Sequence, residues 1–515
     1  MHGINNDSVN EPPLPHIQDL SLTPTGNHAG RSITVPDKEK KSSFQDLTSD
    51  TLSLIFRHLK LRDIRSLQKV CTRLRDLIKE DNALAKAWYR QFSSAHQNQL
   101  MMTITRKDKN QLRAWFESFS NDQALLKTLT NLQPTSVYSP ALLFFTRAEL
   151  MSQCETFELV TKATIDIESI VHSADLSADG RYLVTANRDD TAKIYGQKAD
   201  GIWEIKTTIP HDQEVISAIF SPDSHHLLTV SACKARICDL EYNESWEPNT
   251  TIRHNCQISS ATFSTDSRHV MTASHDDTAI IHSQKDDGSW QLTAILPHNQ
   301  SVNSAFFSTD GRHVVTACND CTAKIHSQND ELWEEKDVIR HNNIVLSAAF
   351  SPDGRYVVTA SQDYNAKIYE KKSDGSWEEN SIIQHSKAVR SATFSPDGRH
   401  LVTASKDYTV KICGRKANGL WEEKASFTHK LWVSSASFSP DSRHLVTTVM
   451  FCKTAKIIGQ QDDGTWLEKA NIVHDDFITS ATFSADGSQV ITSGFDGIVK
   501  ITELRRNHWL SAVAE

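Results

Sequence analysis

The 515-residue sequence has no stretch approaching the roughly 20 apolar residues needed to cross a bilayer, and its first thirty residues lack the apolar core of a secretion signal. Neither membrane insertion nor Sec-type export is indicated. An excess of basic charge is also missing, since 55 Lys and Arg stand against 64 Asp and Glu for a net charge of −9. Nucleic-acid binding draws its affinity from basic patches, so DNA and RNA are poor expectations. The nine cysteines are odd in number and scattered, with no paired Cys-x-x-Cys. Thiols of a reducing compartment, cytoplasm or nucleus, fit better than a disulfide framework. There is no His-Glu-x-x-His, no nucleophile motif and no phosphate-cradling glycine loop. Catalytic residues, a metal and a cofactor are accordingly not expected.

What is present is a repeat. The segment from Val389 to Ile412, VRSATFSPDGRHLVTASKDYTVKI, has seven relatives, and its aromatic slot falls at Leu176, Phe220, Phe263, Phe307, Phe350, Phe394, Phe438 and Phe483, a period of 43 to 45 residues. Short alternating strands joined by Asp-Gly or Asp-Ser turns at that period predict a mainly β fold, a β-propeller with one four-stranded blade per repeat. In the cleanest unit Val389, Ala392 and Phe394 mark a first strand, Ser395–Gly398 a turn, Leu401–Ser405 a second strand and Thr409–Ile412 a third. A Trp opens the fourth strand, as at Trp377, Trp421 and Trp466. The count favours eight blades, with seven and a distorted terminal unit as the alternative. Phe157–Ile165 reads as an extra outer strand, and Trp509–Val513 supplies one at the end.

The rest of the chain divides by composition. Residues 1–41 hold few large apolar groups and read as a disordered tail. Residues 43–92 change to helical periodicity, with Leu52, Ile55, Phe56 and Leu59 on one stripe, then Ile64 and Leu67, then Val70, Leu74 and Leu77, then Leu84, Trp88 and Phe92. So few residues build only a small core, and a face left apolar there needs a partner. Residues 93–156 look like a helical linker or spacer, with Leu112, Trp115, Phe116 and Phe119 in one stretch and Pro134 and Pro140 as punctuation. The propeller would then occupy 157–515.

Each unit but the first has a His before its first strand, for example His385, most have an Asp after the second, for example Asp407, and a hydroxyl lies between them, as at Thr403. In these features the chain resembles the WD-repeat family, in which His, Ser/Thr, Asp and Trp form a buried hydrogen-bonded set in each blade. The Trp-Asp pair that names the family is absent, its slots reading for instance Tyr369-Glu370 and Cys413-Gly414. Blades two and seven also lose the Asp, with Cys233 and Met450-Phe451-Cys452 in its place. The recurring His and Asp therefore read as structural groups rather than metal ligands.

Leu47-Thr48-Ser49-Asp50-Thr51-Leu52, followed by Ile55-Phe56, Leu59, Asp63-Ile64, Val70-Cys71 and Leu74, resembles the F-box, a small all-α module. Thr48 stands where that family prefers Pro, and Leu74 where it prefers Trp. The resemblance implies docking on the Skp-type adaptor of a cullin-RING ubiquitin ligase. The candidates for that contact, or for the helices' own core, are Leu47, Leu52, Ile55, Phe56, Leu59, Ile64, Val70 and Leu74. F-box, helical linker and propeller is also the order found in F-box/WD-repeat substrate receptors, so the partners implied are the ligase and a protein substrate. Near-verbatim repeats point to recent duplication, and similar F-box proteins also occur as effectors that intracellular bacteria place in host cells, where the compartment would be the host cytoplasm.

In that family the residues reaching the top face come from the first strand and from the position before the Asp. For blades six to eight these are Arg390 and Lys406, Trp432 and Met450, and Phe477 and Phe495, with Lys430 and Phe451 nearby. Blades one to five offer Ser259, Asn303, His275 and Gln362 at equivalent places. Aromatic residues beside Arg make binding hot spots, and the cations favour an acidic or phosphorylated motif. The alternative is that these aromatics fold inward over blade edges.

Overall fold

The computed structural model describes residues 82–506, apart from 106, 108, 121–138, 199–200, 242–244 and 330–331, together with Leu59, Ile64, Arg65, Leu77 and Lys79. The expected tail, Trp509–Val513, and Leu47, Leu52, Ile55, Phe56, Val70 and Leu74 lie outside the described residues.

From Phe157 to Arg506 the chain forms eight four-stranded antiparallel sheets, the blades of a propeller. Blade 6 is representative, with strands Val389–Phe394, His400–Ser405, Thr409–Arg415 and Trp421–Thr428. Its second strand is almost wholly buried, because each sheet is sandwiched between two others. The packing between blades has a repeating core in which a Trp opening the fourth strand meets the aromatic of the first. Trp421 lies edge-on to Phe394 at 5.4 Å and to Tyr356 of the preceding blade at 5.9 Å. These indoles act as apolar volume, since Nε1 of Trp246, Trp290, Trp421 and Trp466 has no acceptor.

The last blade is completed from the other end of the propeller. Its first three strands come from Ile478–Arg506, and the fourth is Phe157–Asp166, paired antiparallel from Phe157↔Arg506 to Asp166↔Ile498. The outer strand expected from Trp509–Val513 is thus supplied by the segment before blade 1. Backbone hydrogen bonds across this seam close the ring and leave no broken blade.

Every first strand has a register break after its first residue, at Val389/Ser391 in blade 6. This bulge frees the second residue from cross-strand pairing. In blades 3, 4 and 8 that residue ties blades together: Ser259 Oγ donates to the Val302 carbonyl at 2.5 Å, and Asn303 Nδ2 donates to Val345 O at 2.8 Å. Thr479 does the same to Val171 O at 2.6 Å.

Among the described residues, the ring is preceded by α1 (Ala83–Tyr89), α2 (Ser94–Thr105), α3 (Lys109–Glu117) and α4 (Ser139–Ser152). Pro140 sits in the first turn of α4, where a missing N–H costs nothing, so it starts a helix rather than punctuating one. The segment expected as a spacer is packed on the disc. Trp115, Phe116 and Phe119 are buried, and α2 lies across the axial opening, where His96 Nε2 meets Pro440 O at 2.9 Å. Arg147 of α4 is fully buried, donating to Gly487 O at 2.5 Å and facing Asp441 at 3.4 Å. Lys107 pairs with Asp486 at 2.8 Å. All these contacts fall on the face formed by turns between first and second strands. The opposite face, formed by turns between second and third strands, is the upper face.

Candidate functional site

Four blades build the expected hydrogen-bonded lock beneath the upper face. His385 Nδ1 lies 2.9 Å from Asp407 Oδ2, and Nε2 lies 2.8 Å from Thr403 Oγ1. The arrangement recurs at His254 with Asp276 and Thr272, His341 with Asp363 and Thr359, and His474 with Asp496 and Thr492. Burial pushes the His385 imidazole down despite Asp407 beside it. Burial would push the Asp407 carboxyl up, but Thr409, the Ser386 amide and His385 outweigh it and hold it well below the usual range. Blade 4 varies the theme, with His298 Nε2 at 2.7 Å from Thr316 and Nδ1 at 3.1 Å from the Leu296 carbonyl. In blades 2 and 7, which lack the Asp, His211 Nε2 and His429 Nε2 have no partner, nor do the hydroxyls of Thr229 and Thr447. Cys318, in the single Cys-x-x-Cys, is buried, and its thiol donates to Gln300 O at 3.0 Å.

Turn length separates these blades. In blade 6 three residues, Lys406–Tyr408, connect strands ending at Ser405 and starting at Thr409. Blade 2 has two, between Ser231 and Lys234, and blade 7 has four, between Val449 and Thr454. The two blades that lost their Asp are therefore a deletion and an insertion at the same turn. The sequence signal was present as the longer spacing from Phe438 to Phe483.

Several of the expected upper-face residues meet. Lys406 Nζ stands 5.2 Å from the Trp432 ring, and the Met450 amide donates to Trp432 O at 2.9 Å. Phe477 and Phe495 are edge-to-face at 6.1 Å, their strands joined by Phe495 N to Phe477 O at 2.8 Å. Phe451 joins them, with its ring 5.6 Å from Phe477. Arg390 and Lys430 are exposed, and Met450 is half-buried. The large aromatics do not fold wholly inward: Trp432 is 40%, Phe495 41% and Phe451 59% exposed, while Phe477 is half-buried between its neighbours. The list drawn from sequence omitted Lys387, whose Nζ is 5.1 Å from the Tyr408 ring, and the exposed Leu431. Arg390 occupies the bulge position that in blades 3, 4 and 8 bonds to the next blade, and here reaches solvent instead.

Of the helical candidates, Ile64 is fully buried and so belongs to the chain's own core, whereas Leu59 is half-buried. Arg65, next to Ile64, pairs with Glu149 of α4 at 2.7 Å, and Glu149 pairs in turn with Arg443 of blade 7 at 2.6 Å.

Comparison with known proteins agrees with this architecture. Residues 44–85 match the F-box domain. Seven segments, 162–196, 246–283, 290–327, 334–370, 377–413, 421–458 and 469–502, match the WD domain, G-beta repeat. The interval left unmatched, 197–245, contains the shortened turn of blade 2. No curated protein matches the sequence. Among solved structures, Sqt1 of Saccharomyces cerevisiae is similar with a TM-score of 0.56 at 14% identity, over 69% of this chain and 100% of that one. Sqt1 of Chaetomium thermophilum gives 0.57 at 14% identity, over 68% and 100%, and the same protein bound to the N-terminus of the ribosomal protein L10 gives 0.58 at 14%, over 67% and 100%. At such identity the likeness concerns the fold alone.

Proposed function

Because the chain belongs to the F-box/WD-repeat proteins, we propose that it is the substrate-recognition subunit of a cullin-RING ubiquitin ligase of the Skp–cullin–F-box type. The F-box docks on the Skp-type adaptor, and the upper face of the propeller holds a protein substrate, acidic or phosphorylated. The observation that carries this reading is the union, in one chain, of an F-box and a propeller whose lower face is occupied by helices and whose upper face, among the described residues, carries none. Such a chain is a non-catalytic receptor acting in cytoplasm or nucleus, and the transfer chemistry comes from other subunits.

Buried and charged contacts of α4 with blades 7 and 8 dock the helical linker on the lower face, which leaves the upper face to a substrate in this reading. The test is capture of a purified Skp-type adaptor by the full chain. Capture by wild type, lost in Ile55→Asp or Leu59→Asp while the propeller's melting temperature is kept, is the expected result. Absence of capture by the wild type points instead to an interaction scaffold outside any ligase.

A further inference from the structure

The seam between blades 8 and 1 is filled differently from the others. Between blades 1 and 2 three rings meet near the lower face: Trp246, which opens a fourth strand, lies 5.4 Å from Phe220 of its own first strand and 5.6 Å from Tyr182, which opens the second strand of the blade before. His400, Phe438 and Trp466 repeat the set between blades 6 and 7, and between blades 7 and 8 Phe157 stands in for the Trp, 5.2 Å from His444. Between blades 8 and 1 the same three places hold Gln489, Leu176 and Trp203. Two rings are missing. Trp203 is only half-buried and, among the described residues, stacks on no other ring. Beside it lies a cavity of about 390 Å³, lined by Leu176, Gln489 and Trp203 together with Trp115 of α3, Ile501 and Glu503. Interiors are otherwise close-packed, and an unfilled gap forfeits the contacts its lining would make.

A chain segment able to fill the gap starts at its wall. The amide of Arg506, where the third strand of blade 8 ends, donates to Ser118 O at 3.0 Å, and Ser118 Oγ donates to the Trp115 carbonyl at 2.6 Å. Three residues further along the sequence stands Trp509, outside the described residues. Its spacing places it in the series of tryptophans that open fourth strands, but the fourth strand of blade 8 is already Phe157–Asp166, so this indole has no slot in the sheet. Three extended residues span about 10 Å, and Trp115 and Glu503 stand both beside Arg506 and in the cavity wall, so the indole can reach the cavity. A tether that short gives the chain's own Trp509 a high effective concentration there, which favours it over a second copy.

We propose that the segment after Arg506 docks on its own chain, with Trp509 seated in the cavity beside Trp203 in place of the missing rings, so that it pins α3 to the seam between blades 8 and 1. This depends on neither adaptor nor substrate binding. The experiment replaces Trp509 of the full chain with the photo-crosslinker benzoylphenylalanine and maps the adducts by mass spectrometry. Adducts to Trp115, Leu176 or Trp203 within one chain, unchanged on dilution, are expected. Leu176→Phe restores one of the missing rings, as Phe220 supplies it in blade 2, and should abolish these adducts while the melting temperature is kept. In the chain without crosslinker, Trp509→Ala should speed amide hydrogen exchange in Lys109–Glu117 roughly 10-fold, the size of one lost aromatic anchor. A synthetic peptide of residues 506–515 added to that variant should restore the protection, and the same peptide with Ala in place of Trp should not. Adducts elsewhere or none, adducts that persist in Leu176→Phe, or exchange unchanged by Trp509→Ala would overturn the proposal. Adducts only between chains, lost on dilution, would give the cavity to a second copy and overturn it as well.

Discussion

Thr403 and Thr447 occupy the same place in adjacent blades and differ only in what their hydroxyls meet. Thr403 Oγ1 is 2.8 Å from His385 Nε2, whereas Thr447 Oγ1 is buried with no partner. Replacement by the isosteric Val should therefore have opposite consequences. Thr403→Val strands a buried imidazole nitrogen and should cost about 1–2 kcal/mol, while Thr447→Val removes an unsatisfied group and should be neutral or stabilising. Urea titration of the two variants checks this, and equal losses would contradict it. The contrast was half visible beforehand: the missing Asp of blade 7 can be read from its sequence, but that the Thr also loses its partner depends on the position of a ring.

Among the elements, α4 carries the most consequential contact. Arg147 is buried with Asp441, and Gly487, at φ +67°, leaves a gap in which an added Cβ would come within 3.2 Å of the guanidinium. Burial would raise the Asp441 carboxyl, but His444, Arg147 and Ser439 outweigh it and hold it well below the usual range. Breaking a buried pair from one side leaves an uncompensated charge, at about 3–5 kcal/mol. Arg147→Met should thus loosen α4 from blades 7 and 8, read as faster proteolysis within residues 139–156 and a lower urea midpoint. By contrast, Arg65 with Glu149 is half exposed, and its loss should cost under about 1 kcal/mol. Nothing in the local sequence marks Arg147 as special, since its partners lie 294 and 340 residues away.

For the whole molecule, the ring of buried histidines sets the response to acid. Burial pushes His211, His282, His298, His326 and His429 down to about 4. These side chains are neutral in the folded protein, whereas the unfolded chain takes up protons near pH 6.5. Their contribution is complete above that pH and is lost as pH falls from about 6.5 towards 4. The depressed carboxylates of the locks, such as Asp407, act in the same direction at still lower pH. Calorimetry should show a melting temperature that is level above about pH 7 and declines steadily from pH 6.5 to 4.5 with uptake of several protons. A flat profile over that range would mean the imidazoles are not buried as described.

The sequence made legible the repeat, the eight blades, most strand starts and the His, Thr and Asp of the locks, though the third strand of blade 6 runs to Arg415 rather than ending at Ile412. It could do so because alternation of side chains, Asp-Gly turns and the spacing of a hydrogen-bonded set all act within some 45 residues, and eight copies reinforce one another. It also placed Arg390, Lys406, Trp432, Phe477 and Phe495 on one face, since position within a repeat is position on the disc. Folding alone settles that Phe157–Asp166 closes the last blade, that the helices cover the lower face rather than standing off it, and that Lys406 meets Trp432 while Phe451 meets Phe477. Those contacts join different blades or opposite ends of the chain, where side-chain shape and charge select the partner and no local period records the choice.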